Sequence, residues 1–192
     1  DLYGMHWPYK QHKTSRDQKL LPYHEDLKKA GACFGQSGEY ERPMWYALKD
    51  IKPEYDYSFN YQNWYPSVEY ESKSTTKNVG LFELSPFSKY EIKGENAYQE
   101  LQRLCTANIK NDIGKCTYTH MLNEGGGIET DLTVVCINKN HFRIISSAAV
   151  RTHDKAHILK HLSKSVEFKD VTDDLICLGI FGPKSRELLS KI

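Results

Sequence analysis

The order of patterns along the 192 residues predicts an α+β protein in which antiparallel sheets pack against helices. Three observations carry that expectation. Extended stretches arrive as adjacent pairs joined by turn residues, at "NEGGG" and again at "NKN". Helical stripes fall between those pairs and do not alternate with single strands, which argues against a doubly wound parallel sheet. The regular text begins only at about residue 79, after a lead segment rich in aromatics, prolines and turn formers.

In the lead segment one short helix is expected over "YHEDLKKAG", closed by Gly31 just past its C-terminus. Residues 1 to about 50 hold too few periodic apolar side chains for a core of their own, so they are expected to pack on a neighbour. Residues 53 to 66, "PEYDYSFNYQNWYP", alternate aromatic and polar groups in the manner of an irregular strand hugging a surface. They read as an aromatic clasp tying the lead segment to the main domain, or as one wall of a ligand pocket. A run of basic and hydroxyl side chains, "EYESKSTTKN", follows.

Beyond it, "VGLFELS" and "KYEIKG" read as strands, and "ENAYQELQRLC" places Ala97, Leu101, Leu104 and Cys105 on one helical stripe. "TVVCI" and "FRIIS" flank a short turn, a helix is expected from about 150 to 162, and "VEFKDV" and "LICLGIF" supply two more strands. Pro183 is expected at the first position of a final helix.

Charge narrows the function classes. The 26 basic and 25 acidic residues are interspersed and leave a net charge of +1, so there is no basic stripe of the kind a nucleic acid or an anionic membrane demands. No apolar run approaches the length of a bilayer span, and no signal-like segment is present. The five cysteines are odd in number, scattered and without a C-x-x-C pair, which reads as reduced thiols in a cytoplasmic protein. The chain starts at Asp1 and stops inside "GPKSRELLSKI", so it is expected to be a slice of something longer.

The stretch "TYTHMLNEGGGIETDLTV", residues 117 to 134, carries the main chemical signal. A period of two over 128 to 136 puts Ile128, Thr130, Leu132, Val134 and Cys136 on one face, expected to be core. Asp131 points the other way, and a carboxylate is disfavoured inside a strand unless its face is wet or something meets it there. Gly125, Gly126 and Gly127 serve either as a turn needing positive φ or as bare backbone that a flat ligand can approach. They are not a phosphate loop, because no lysine and no helix follow in the required places.

Other candidates are weaker. His153, His157 and His161 recur at the four-residue spacing of a metal site, but they lie opposite Ala156, Ile158, Leu159 and Leu162 and no carboxylate completes a set. No metal is expected. No nucleophile elbow is present, and Asp173 and Asp174 read as turn residues.

Five segments in fixed order, "VGLFELSPFSKYEIKG", "LQRLCTANI", "YTHMLNEGGGIETDLTV", "FRIISSAAVRTHD" and "LGIFGPKSRELL", resemble the N-terminal folate-binding region of the glycine-cleavage T-protein (aminomethyltransferase) family. "AGACFG", "RPMWYA" and "YQNWYP" before them resemble the linker of dimethylglycine and sarcosine dehydrogenases, FAD-dependent oxidoreductases with such a region as their C-terminal half. The resemblance implies a truncated T-protein-like folate-binding domain. Residues 1–52 would be the tail of the oxidoreductase part, and residues 53–192 the first part of the folate-binding domain.

The resemblance also implies roles. Asp131 falls at the second acidic position of the family's G-G-x-x-D-D-L signature, where the carboxylate meets the folate and helps its amine attack an iminium or formaldehyde carbon. Thr130 replaces the first acidic residue of that signature, a departure that puts transfer from a lipoyl carrier in doubt. Tyr118, Met121 and Leu122 match the strand that lines the pterin pocket, and Gly126 and Gly127 the bend beside it. Arg151 matches an arginine with either a structural or a ligand-binding role. The carboxyl group of Asp131 is thus expected to face a cavity. The implied partners are tetrahydrofolate, an N-methyl amine and an upstream flavin domain, with FAD held only by that domain. The regulatory subunit of pyruvate dehydrogenase phosphatase resembles the same family, so a non-catalytic scaffold of the same fold is the alternative.

Overall fold

A computed structural model describes residues 11–192. They form two compact units, one built from the chain up to Leu84 together with Leu178–Ile192, the other from Ser85–Cys177. The division expected near residue 52 concerns domains of a parent chain; the compact units are cut at Leu84 and Leu178.

In the first unit, helix α1 (His24–Lys29) ends as expected, with Gly31 at φ +88°. The lead segment then departs from expectation. Strands β1 (Ala32–Ser37) and β2 (Tyr40–Tyr46) form an antiparallel hairpin that buries Cys33, Tyr40 and Trp45 together with Ala32 and Leu21. The segment therefore has buried apolar residues of its own. Arg16 clamps the buried Glu41 with two hydrogen bonds of 2.6 Å, the bidentate geometry that compensates a carboxylate for leaving water. No strand forms between residues 53 and 64. The aromatic clasp is instead local: Tyr55 meets Trp45 edge-on at 6.2 Å and stacks on Tyr57 at 5.2 Å.

The hydroxyl-rich run is helix α2 (Tyr65–Lys77). Its sequence lacks an apolar stripe, but Pro66 suits the first turn, and Glu69 and Lys73 pair at 2.6 Å one turn apart. Polar docking replaces apolar docking: Glu71 accepts the Tyr46 backbone N–H at 2.6 Å. Strands β3 (Gly80–Glu83) and β9 (Leu178–Phe181) pair antiparallel although they lie almost a hundred residues apart. Helix α5 (Ser185–Leu189) starts two residues after Pro183, so the proline precedes the helix and does not occupy its first position.

The second unit is a five-stranded antiparallel sheet in the order β5-β6-β7-β4-β8, where β4 is Ser88–Lys93, β5 Cys116–Leu122, β6 Ile128–Asn138, β7 His141–Ser146 and β8 Glu167–Asp170. Helices α3 (Ala97–Leu104) and α4 (Arg151–His161, entered through a 3-10 turn at Ala148–Val150) contribute to the core on one face. There Tyr90, Ile92, Met121, Leu132, Val134, Phe142 and Ile144 meet Ala97, Leu101 and Ile158, all nearly or wholly excluded from solvent. Period-two alternation sends Tyr118, His120, Asp131, Thr133, Arg143 and Glu91 to the other face. The fold class expected from the sequence is the one observed.

Candidate functional site

The bend between β5 and β6 is organised by Asn123, which the sequence reading did not single out. Its side-chain oxygen accepts the N–H groups of Gly125 and Gly127 at 3.0 and 2.9 Å, and its backbone N–H donates to Gly127 O at 2.9 Å. Gly126 adopts φ +82°, a conformation that L residues rarely take. At Gly127 a Cβ would lie 2.9 Å from the Asn123 side chain, so this glycine serves close approach. The local signal was an asparagine two residues before three glycines, a side-chain turn pattern.

Directly after the bend the β5–β6 register slips, pairing Met121 with Thr130 but Leu122 with Ile128. Glu129 is the extra residue of this bulge, and the slip breaks the alternation. Ile128, expected in the core, is 65% exposed for that reason. From Thr130 onward the expected alternation holds, with Thr130, Leu132, Val134 and Cys136 inside.

Asp131 emerges on the open face opposite His120. The phenol of Tyr118, two positions further along the ladder on the same face, donates to Asp131 Oδ2 at 3.0 Å, and that bond raises the Tyr118 pKa. The Tyr118 ring stands edge-on to His120 at 5.4 Å and is 61% exposed. Leu122 lies on the same side of β5 and is also exposed. Tyr118, Leu122, Asp131 and the glycine bend thus share one end of one sheet face.

Three of the expected site residues lie elsewhere. Met121 is fully buried in the core, behind the strand that carries Tyr118. Thr130 is buried on that same inner side, where its hydroxyl donates to Asp154 Oδ2 at 2.9 Å. Arg151 sits at the start of α4 and pairs with Asp170 at 3.0 Å and Asp173 at 3.1 Å, while its carbonyl accepts the Tyr90 hydroxyl at 2.8 Å. Burial disfavours the guanidinium charge, but Asp173 and Asp170 outweigh it and raise the Arg151 pKa. All three support the fold around the site.

The expected cavity beside Asp131 is not met: its carboxylate is exposed on the open sheet face. Two large cavities, of about 1040 and 850 Å³, belong to the first unit, one beside Arg16, Cys33 and Tyr55 and the other between β2, α2 and β3. The histidine row also differs from expectation at its first member. His153 is half exposed, but it lies between two carboxylates, Glu129 and Asp154. Among the described residues no group of three or more His, Cys, Asp and Glu could hold a metal ion. No helix among them is long and apolar enough to cross a membrane. All five cysteines are free thiols.

Together these elements make an α+β domain: an antiparallel sheet backed by two helices, with a glycine bend feeding an outward carboxylate. The chain belongs to the GCVT N-terminal domain family, whose model matches residues 23–192. It is 39% identical over 193 residues to 4-methylaminobutanoate oxidase (formaldehyde-forming) of Paenarthrobacter nicotinovorans, covering 100% of this chain and 23% of that protein. It is 33% identical over 156 residues to mitochondrial dimethylglycine dehydrogenase of Rattus norvegicus, covering 80% of this chain and 18% of that protein. The chain therefore spans less than a quarter of the length of either relative. Among solved structures, glycine cleavage system aminomethyltransferase T from Bartonella henselae superposes with a TM-score of 0.73 at 24% identity, over 90% of this chain and 43% of that one. That likeness establishes the fold.

Proposed function

We propose that this chain is the folate-binding, aminomethyltransferase-like module of an enzyme that oxidises an N-methylated amine, and that it receives the one-carbon unit on tetrahydrofolate. The observation that carries the reading is the placement of Asp131. The strand turns its carboxylate away from the core, beside an exposed aromatic ring and a bare glycine bend. These groups suit a pterin, which offers a flat face to Tyr118 and Leu122 and ring N–H donors to a carboxylate. When bound, tetrahydrofolate supplies the nitrogen that takes up the one-carbon unit. Asp131 orients the bound molecule and can hold or move a proton at its free carboxylate oxygen, while Tyr118 fixes the rotamer of the carboxylate.

The open face supports a division of labour in the longer protein. This chain supplies one wall of the site, and segments outside it cover that wall and exclude water. On this reading the flavin belongs to an upstream oxidoreductase part, whose end lies in the lead segment before residue 53. The names of both relatives, an oxidase and a dehydrogenase of N-methylated amines, support the oxidative partner reaction.

The test is tetrahydrofolate affinity and formaldehyde release measured on the full-length protein and its Asp131→Ala variant. Weakened tetrahydrofolate binding with undiminished amine oxidation and more free formaldehyde is expected. Equal affinity and equal formaldehyde yield in both proteins would leave the non-catalytic scaffold as the better reading.

A further inference from the structure

A chain of side chains joins the glycine bend to helix α4, and none of them is used in the function proposed above. Asn123 Nδ2 donates to Glu129 Oε1 at 2.9 Å. Glu129 Oε2 lies 3.0 Å from His153 Nε2, and His153 Nδ1 lies 3.2 Å from Asp154 Oδ1. The other oxygen of Asp154, whose side chain is wholly buried, accepts from Thr130 at 2.9 Å. The bulge residue Glu129 and its neighbour Thr130, the two residues before Asp131, are therefore both held from α4.

An imidazole placed between two carboxylate oxygens can donate to both only as the cation, because the neutral ring carries a single N–H. We propose that His153, as imidazolium, is the positioning residue for Asp131: it locks the Glu129 bulge and the Thr130 anchor, and so sets the direction in which the Asp131 carboxylate leaves the strand. The inference rests on the folate reading for its consequence, but the lock itself is a property of the fold.

The groups facing His153 are Glu129 from β6, Asp154 from its own helix, and His157 one turn further along that helix. The bond to Asp154 raises the His153 pKa above its usual 6.5, burial opposes this, and Glu129 adds to the rise. His157 moves the other way, lowered by burial and by His161. A raised histidine pKa means that the lock is complete below 6.5 and is lost as pH rises through the folded value. Deprotonation removes one of the two N–H donors and frees one end of the bulge.

Two readouts on the full-length protein separate the lock from the folate reading. Backbone hydrogen exchange across residues 122–130, corrected for intrinsic rates, is expected to rise as pH passes above the His153 pKa. It should be fast at every pH in His153→Gln, and slow at every pH in His153→Arg, whose permanent cation can donate to both carboxylates. Exchange that is the same in wild type and His153→Gln below the His153 pKa overturns the lock. Tetrahydrofolate affinity is then expected to fall about tenfold in His153→Gln, to recover in His153→Arg, and to lose its decline at alkaline pH in the latter. If exchange responds and Asp131→Ala weakens tetrahydrofolate binding but His153→Gln does not, the positioning role is overturned. If exchange responds while Asp131→Ala leaves binding unchanged, the lock stands and the folate reading fails.

Discussion

Tyr118 and Asp131 meet diagonally across the β5–β6 ladder, with the phenol donating to the carboxylate at 3.0 Å on a face that the core does not use. A strand aspartate facing solvent needs no partner, so this contact organises the carboxylate without being required to stabilise the fold. Removing the hydroxyl with Tyr118→Phe is expected to leave the melting temperature unchanged, because both side chains are exposed. In the full-length protein the same change should weaken tetrahydrofolate binding about fivefold, and Asp131→Ala should lower one-carbon transfer by about 10² or more. Titration of binding beside a thermal melt checks both halves.

Thr130 faces the opposite way and is bound by a different demand. Its hydroxyl is a donor to the wholly buried Asp154 carboxylate. Thr130→Val keeps the shape and removes that donor, which is expected to cost about 1–3 kcal/mol. Thr130→Ser keeps the donor and should cost less. Urea unfolding of the two variants separates them, and a larger loss in Thr130→Ser than in Thr130→Val would argue that the methyl group, not the hydroxyl, is what matters.

Acid sensitivity should centre on Glu91, at the far end of the same face. Burial would raise its pKa, but Arg143 at 2.7 Å, Lys93 at 2.8 Å and His141 at 3.2 Å prevail and bring it down to about 2. A depressed carboxylate contributes stability that is fully present above its unfolded value of about 4.5 and is lost as pH falls towards about 2. Denaturant midpoints should therefore fall between those two pH values in the wild type. The fall should be shallower in Glu91→Gln, which has no charge to lose.

Thiol chemistry is expected to be selective. Burial pushes the Cys105 thiol up to about 12 and the Cys33 thiol to about 11, and both are shielded from reagent. Cys116 at the start of β5 is the exposed one. Alkylation should label Cys116 first, because it is the thiol that a reagent can reach. Cys116→Ser should abolish the fast phase seen by mass spectrometry.

The parts of the molecule that could be read in one dimension share a cause. In β4, β6, β7 and α3 most residues turned to the core are apolar and recur at every second, or every third and fourth, position because a single neighbouring layer covers one face, so the burial pattern is written locally. The β1–β2 hairpin and α2 escaped this reading. Their contacts are made by a bidentate Arg16–Glu41 clamp and by a glutamate capping a strand amide, and such polar docking leaves no periodic trace. Asn123 was visible as a turn former but not as the residue that holds two glycine amides.

For the site, the sequence alone determined that Asp131 leaves the core face and that a glycine bend precedes it, since strand alternation and backbone freedom are local properties. Tertiary structure decided the rest. The Glu129 bulge moved Ile128 out of the core, Met121 and Thr130 went to the inner side, and His153 came between Glu129 and Asp154. Such pairings join residues some twenty-five positions apart, and which of them form depends on how a helix packs against a sheet, a long-range choice that no spacing rule within one strand contains.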